Sequence, residues 1–176
     1  MHLELDYVAF VAAFIAACAI LDYRTRKIPN WLTVSAAVLG LAHSAIAPHG
    51  IGPLWSVAGF AVGFSLLLLP WLLGGGGMGD VQMLAALGAW LGPMGILVAF
   101  GLGSVLAAGG MIAVLTASTL LEGFSLTRRR YVSATVGAES SAGAPRKPAR
   151  RVLPFALPMA ISTWLMLGWM LLKAAG

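Results

Sequence analysis

The chain has 176 residues, 60% of them hydrophobic and only 10% charged, with a mean hydropathy of +0.91. A soluble domain carries about 25% charged residues, so this composition excludes a water-soluble globular fold and indicates an integral membrane protein. The net charge is +5, but the basic residues fall in two juxtamembrane stretches where topology and anionic lipid account for them, which argues against a nucleic-acid partner.

Crossing ~30 Å of hydrocarbon as a helix takes about 20 mainly apolar residues, and on that criterion the chain reads as an all-α polytopic bundle of about six spans. The first runs from Leu5 to Leu21. Its leading flank carries Glu4 and Asp6 while the positive charges follow it, the reverse of a secretory signal, so Ile15-Ala16-Ala17-Cys18 reads as packed helix and not as a cleavage box. Cys18 is the only cysteine, which excludes an internal disulfide or a multi-cysteine metal site. The span closes on Asp22, followed by Tyr23-Arg24-Thr25-Arg26-Lys27 and the turn Ile28-Pro29-Asn30.

The second and third spans are Trp31–Ala47 and Leu54–Leu73, the third with Gly59 and Gly63 four apart, a spacing that lets helices approach closely. A glycine run follows, Gly74-Gly75-Gly76-Gly77-Met78-Gly79-Asp80. The fourth span, Val81–Leu91, is short and carries a second small-residue face at Gly88 and Gly92. The turn Gly92-Pro93 then allows the chain to fold back into a fifth, Met94–Leu121. The sixth is Leu153–Leu172. Residues 122–151 are rich in Ser, Ala, Gly, Pro and Arg and cannot bury enough apolar surface to fold. They read as a disordered basic loop appended to a single membrane domain, 1–176. Trp55, Trp71, Trp90, Trp164 and Trp169 read mostly as interfacial anchors near span ends.

Of the 11 Lys and Arg, three (Arg24, Arg26, Lys27) follow the first span and seven lie in the 122–151 stretch; only Lys173 falls opposite. The positive-inside rule makes the two basic loops cytoplasmic and the N-terminus external. Asp22 and Asp80 then share the cytoplasmic side, whereas His43 and His49 lie on the other and form no metal site with them.

An acid at the edge of a span is costly to keep and marks a functional site. Two carboxylates about 3 Å apart share one proton. The ionised one can take a proton from attacking water and the protonated one can donate to the leaving amine, which is peptide hydrolysis with no metal or cofactor. Gly77 and Gly79, flanking Met78, offer positive φ and close backbone approach, giving an extended substrate room beside Asp80. The structural alternatives are an interfacial role for Asp22 and an N-cap or first-turn role for Asp80.

The segments Asp22-Tyr-Arg-Thr-Arg-Lys-Ile-Pro-Asn30 and Gly77-Met-Gly-Asp-Val-Gln-Met-Leu-Ala-Ala-Leu-Gly-Ala-Trp-Leu-Gly92, with Leu153-Pro-Phe-Ala-Leu-Pro158 opening the last span, resemble the type IV prepilin leader peptidases, bacterial membrane aspartic proteases with a Gly-x-Gly-Asp motif. The resemblance implies that Asp22 and Asp80 are the catalytic pair. It also implies an inner-membrane enzyme that removes the short basic leader of prepilin precursors on the cytoplasmic side, usually after a glycine just ahead of the pilin helix. The chain opens on a span and lacks the paired cysteines of larger members, so it is similar to the short, peptidase-only type of Flp (tight-adherence) pili, without methyltransferase activity. It departs from the family at Gln82, where a Lys is frequent, and a shifted pH optimum is the expectation there. A small transporter using the two acids as an ion relay, or a non-catalytic pilus-assembly protein, are the readings from other classes. The loop should be dispensable for chemistry: removing residues between Ser133 and Ala144 should leave leader cleavage within a few-fold, measured by gel shift of a co-expressed precursor.

Overall fold

A computed structural model of the chain describes residues 5–25, 27–47, 51–73, 77–122 and 155–175. Among the described residues the regular structure is helical: α1 (Leu5–Thr25), α2 (Asn30–Ile46), α3 (Pro53–Leu72), α4 (Met78–Glu122) and α5 (Ala156–Ala175). The ends of these helices follow from local chemistry. The Thr25 hydroxyl lies 2.8 Å from the Leu21 carbonyl oxygen and 2.9 Å from that of Lys27, and its single proton serves one of them at a time. Pro29, at φ −70° and ψ 134°, turns the chain into α2, and Leu32 N–H closes onto its carbonyl at 3.1 Å. Pro53 opens α3, where its missing N–H costs nothing.

The six expected spans become five helices, because α4 carries both the fourth and the fifth. Inside it Gly92 leaves helical geometry at φ 72° and ψ 176°, a conformation for which a residue without Cβ is suited. Pro93 follows, and the break divides α4 into two arms. Four helices contain stretches long and apolar enough to cross a membrane, in α1, α3, α4 and α5; α2 is shorter, at 17 residues. α1 also continues past Leu21, so Asp22 lies within its last turn region and not at its end. Glu122 is the last residue of α4, and the rest of the expected basic loop lies outside the described residues.

The chain divides into two compact units, 1–104 with 154–176, and 105–153. In the second, the described residues 105–122 continue α4, with Val105 and Ile112 among its exposed side chains.

In the first unit the core is the first arm of α4. Val81 and Met83 through Leu91 are all buried, and the three preceding helices each bond to its far end. Tyr7 of α1 donates its hydroxyl to the Trp90 carbonyl (2.8 Å), Ser56 of α3 donates to the Ala89 carbonyl (2.6 Å), and the Trp90 indole N–H donates to the Ala36 carbonyl of α2 (2.8 Å). Phe10 stacks on Trp90 with ring centroids 4.5 Å apart, and His43 lies 5.3 Å away. Trp90 is therefore a core residue and not the interfacial anchor expected of it, because its indole N–H finds a buried backbone acceptor. Trp55, Trp164 and Trp169 are exposed.

The arm also meets α3 through glycines. A Cβ on Gly59 would overlap the Gly88 carbonyl oxygen, and one on Gly88 would overlap that of Gly59. Gly63 lies in the same way against the Leu84 carbonyl. α5 packs on α1, where the Trp164 indole N–H reaches the Ala12 carbonyl at 3.3 Å, and on the second arm of α4, where Ser162 donates to the Ala99 carbonyl at 2.9 Å. Leucines and valines such as Val38, Leu54, Val57, Leu97 and Val98 point outward, as the lipid-facing surface of a bundle requires.

Because two backbones meet at Gly59 and Gly88, neither can yield by rotating a side chain, and overpacking costs at least ~1–3 kcal/mol. Gly59→Val and Gly88→Val should each abolish a monodisperse, heat-stable species in detergent. Gly101→Ala, whose Cβ would meet open space, should leave the melting temperature unchanged; size-exclusion chromatography and thermal melting check both.

Candidate active site

Asp22 and Asp80 are both buried, at 5% and 6% exposure, whereas Asp6 is exposed. The helix that carries each sets its position. Tyr7 of α1 bonds to Trp90 near one end of the first arm of α4, and Ile28, just past α1, lies on Gly79 near the other. The two segments are therefore antiparallel, and the turns holding Asp22 and Asp80 come to the same end of the unit. His43 packs with Tyr7 and Trp90, toward the opposite end. His49 and Gly74 to Gly76 lie outside the described residues.

The Asp22 carboxylate accepts the backbone N–H of Ala156 on Oδ2 at 3.3 Å. Ala156 is the first residue of α5, and the first N–H groups of a helix have no partner within it. A carboxylate there meets both a donor and the positive end of the helix dipole. Leu153-Pro-Phe-Ala-Leu-Pro158 thus contributes a backbone donor from its fourth residue, a role that could not be read from side chains. The proline-flanked helix start was the available signal, since it leaves amides open, but only packing could show which acid they meet.

Asp80 sits in the first turn of α4, as its first-turn reading anticipated. Its own N–H closes onto the Gly77 carbonyl at 3.1 Å, with that of Val81 at 3.5 Å, so Gly77 supplies the carbonyl that starts the helix. Met78 and Gly79 are the first two helical residues. Gly79 is therefore not a positive-φ position, and its lack of a Cβ serves close approach: that atom would stand 3.2 Å from Ile28 Cβ and 3.5 Å from the Ile28 carbonyl oxygen. Ile28 is buried. The turn between α1 and α2 thereby rests on the turn that carries Asp80.

A polar contact lies beside this one. The Thr33 hydroxyl is 3.0 Å from both the Asn30 carbonyl oxygen and Gln82 Oε1, joining the start of α2 to α4. Sequence reasoning singled out Gln82 as a departure from a family pattern but foresaw no partner for it. Among the described residues no three His, Cys, Asp or Glu side chains gather in one group.

A family model described as the type IV leader peptidase family matches residues 9–117, more than half of the chain and every element of this site except α5. The chain belongs to the type IV leader peptidase family. It is thus a membrane protease of the leader-peptidase kind, as the resemblance of its Asp22 and Asp80 segments implied. No curated protein and no solved structure matches it.

For this leader peptidase the Gly79–Ile28 contact is a close one beside an acid. Gly79→Ala asks Ile28 to move by a few tenths of an ångström and should retain most activity. Gly79→Val drives the α1–α2 turn away from Asp80 and should lower the cleavage rate at least tenfold while the protein remains folded, since a displacement of ~1 Å can cost 10²-fold. Precursor cleavage at matched membrane levels checks the pair.

Proposed function

We propose that this leader peptidase is an aspartic endopeptidase with Asp22 and Asp80 as its catalytic pair, which removes the short basic leader from Flp-like type IV prepilins at the cytoplasmic face of the bacterial inner membrane. One observation carries the reading: the two acids that sequence reasoning paired are both buried, and the turns that hold them lie at the same end of the unit. Burying a carboxylate is costly unless it is hydrogen-bonded or shares a proton, and an acid held for interfacial solvation alone would be exposed.

In the mechanism, one aspartate is ionised and the other protonated. The ionised carboxylate takes a proton from water as the water oxygen attacks the scissile carbonyl carbon. The protonated partner hydrogen-bonds to the carbonyl oxygen and then delivers its proton to the amide nitrogen as the C–N bond breaks. The products are a leader with a new carboxylate and a pilin with a new amino terminus. Ala156 N–H holds one oxygen of Asp22, which orients that carboxylate through the cycle. The six-span, N-outside topology belongs to the same proposal and is supported by the basic residues that follow α1 and α4.

Asp22→Asn and Asp80→Asn should each reduce leader cleavage by several orders of magnitude, because a dyad acts as a unit, while membrane levels and melting behaviour stay near those of the parent. Substantial processing by either variant would remove the assignment. In a Cys18→Ser background, the pair Asp22→Cys and Asp80→Cys should form a disulfide under mild oxidation in native membranes, which needs Cα atoms within roughly 7 Å. Asp22→Cys with Gly92→Cys, at the far end of the arm, should not.

A further inference from the structure

The contact between Thr33 and Gln82 has no part in the chemistry described above, yet Gln82 is only two residues from Asp80. Gly79 and Gln82 are three residues apart and share a face of α4, and that face is covered by the α1–α2 turn and the first turn of α2. Ile28 meets Gly79, and Thr33, only 1% exposed, meets Gln82. Asp80 points about 100° away from Gly79 around the helix and about 200° from Gln82, so the amide reaches the first turn of the neighbouring helix and not the carboxylate.

The hydrogen-bond inventory makes the contact a connected chain. A hydroxyl has one proton and accepts through its lone pairs, but Thr33 Oγ1 faces two carbonyl-type oxygens at 3.0 Å, that of Asn30 and Oε1 of Gln82. Turning the Gln82 amide over places its NH2 as donor to Thr33 Oγ1 and frees the hydroxyl proton for Asn30, which satisfies all three groups. In that arrangement Gln82 is tied through Thr33 to the backbone of Asn30, the residue that closes the Ile28-Pro29-Asn30 turn. The turn is then held at two points on one face of α4: an apolar contact at Gly79 and a polar chain at Gln82.

We propose that Gln82 and Thr33 are positioning residues of the peptidase, a polar clip that fixes the α1–α2 turn on α4 and so holds the Asp80 turn in register with the Asp22 turn. The inference rests on the dyad reading above, and its test separates the two.

The experiment uses the full chain in lipid nanodiscs and a precursor carrying a basic leader ahead of an apolar helix. Thr33→Val, which keeps shape and loses the hydroxyl, and Gln82→Leu should each lower kcat roughly tenfold with KM within twofold of the parent. Thr33→Ser should restore kcat, and the double variant Thr33→Val with Gln82→Leu should be no slower than the worse single one, because the two residues make one contact. A second readout needs no activity: in the Cys18→Ser background, disulfide formation between Asp22→Cys and Asp80→Cys should slow severalfold when Thr33→Val is added. If the cysteine pair never links and both Asp→Asn variants still cleave, the dyad reading falls, and the clip with it. If the pair links equally fast with and without the Thr33 hydroxyl, or kcat is unchanged in a folded Thr33→Val or Gln82→Leu variant, the clip is overturned and the dyad stands. A rise in KM alone would also overturn it, since that marks a substrate contact. Should Thr33→Val fail to accumulate, Gln82→Leu, at a less buried position, carries the same comparisons.

Discussion

The backbone contact between Gly59 and Gly88 is the constraint on which the rest of the bundle depends. Helices in a bilayer gain little from burying apolar side chains against each other, because lipid tails are equally apolar; close packing and interhelical hydrogen bonds must hold them instead. Two glycines facing each other bring α3 and α4 to backbone distance. With α3 that close, Ser56 can reach the Ala89 carbonyl, while α1 and α2 close on the same arm through Tyr7 and Trp90. These three bonds all fall at residues 89–90, next to the break at Gly92, where a helix end leaves carbonyls without partners.

That arrangement leaves the opposite end of the arm for chemistry. The described contacts there are Ile28 on Gly79, Thr33 with Gln82, and Ala156 N–H on Asp22. The end of α1 meets the start of α5 at Asp22, and the turn before α2 rests on the start of α4 beside Asp80. Membership of the type IV leader peptidase family fits such a site, because a protease must admit an extended segment while its acids keep their mutual geometry.

Much of the fold was legible in the composition. Apolar runs of span length, interrupted by glycine, proline and charge, place α1, α3 and α5 within a few residues of their observed ends, since a backbone in lipid must satisfy itself and can do so only as helix or closed barrel. The glycine spacing in α3 and α4 pointed to close packing, although it did not say that these two helices were partners. Trp90 was misread because a tryptophan near a span end resembles an anchor until a buried acceptor, here the Ala36 carbonyl, is known. Gly79 was read as allowing both unusual backbone angles and close approach; only the close approach is used, by Ile28, a residue far away in sequence.

By itself, the sequence determined that this is a membrane bundle and that few acids lie in it, and it singled out Asp22 and Asp80 as the pair to test, because charge in hydrocarbon is costly. The tertiary structure alone decided how those acids are supported. A hydrogen bond from Ala156 N–H to Asp22 spans 134 positions of chain, and that between Thr33 and Gln82 spans 49. Neither has a local signature: backbone amides are the same at every position, and Thr and Gln are common residues with many possible partners. Which groups meet is settled by helix packing, and helix packing is settled by contacts such as Gly59 with Gly88, whose spacing marked each as a packing residue without saying which helix it meets.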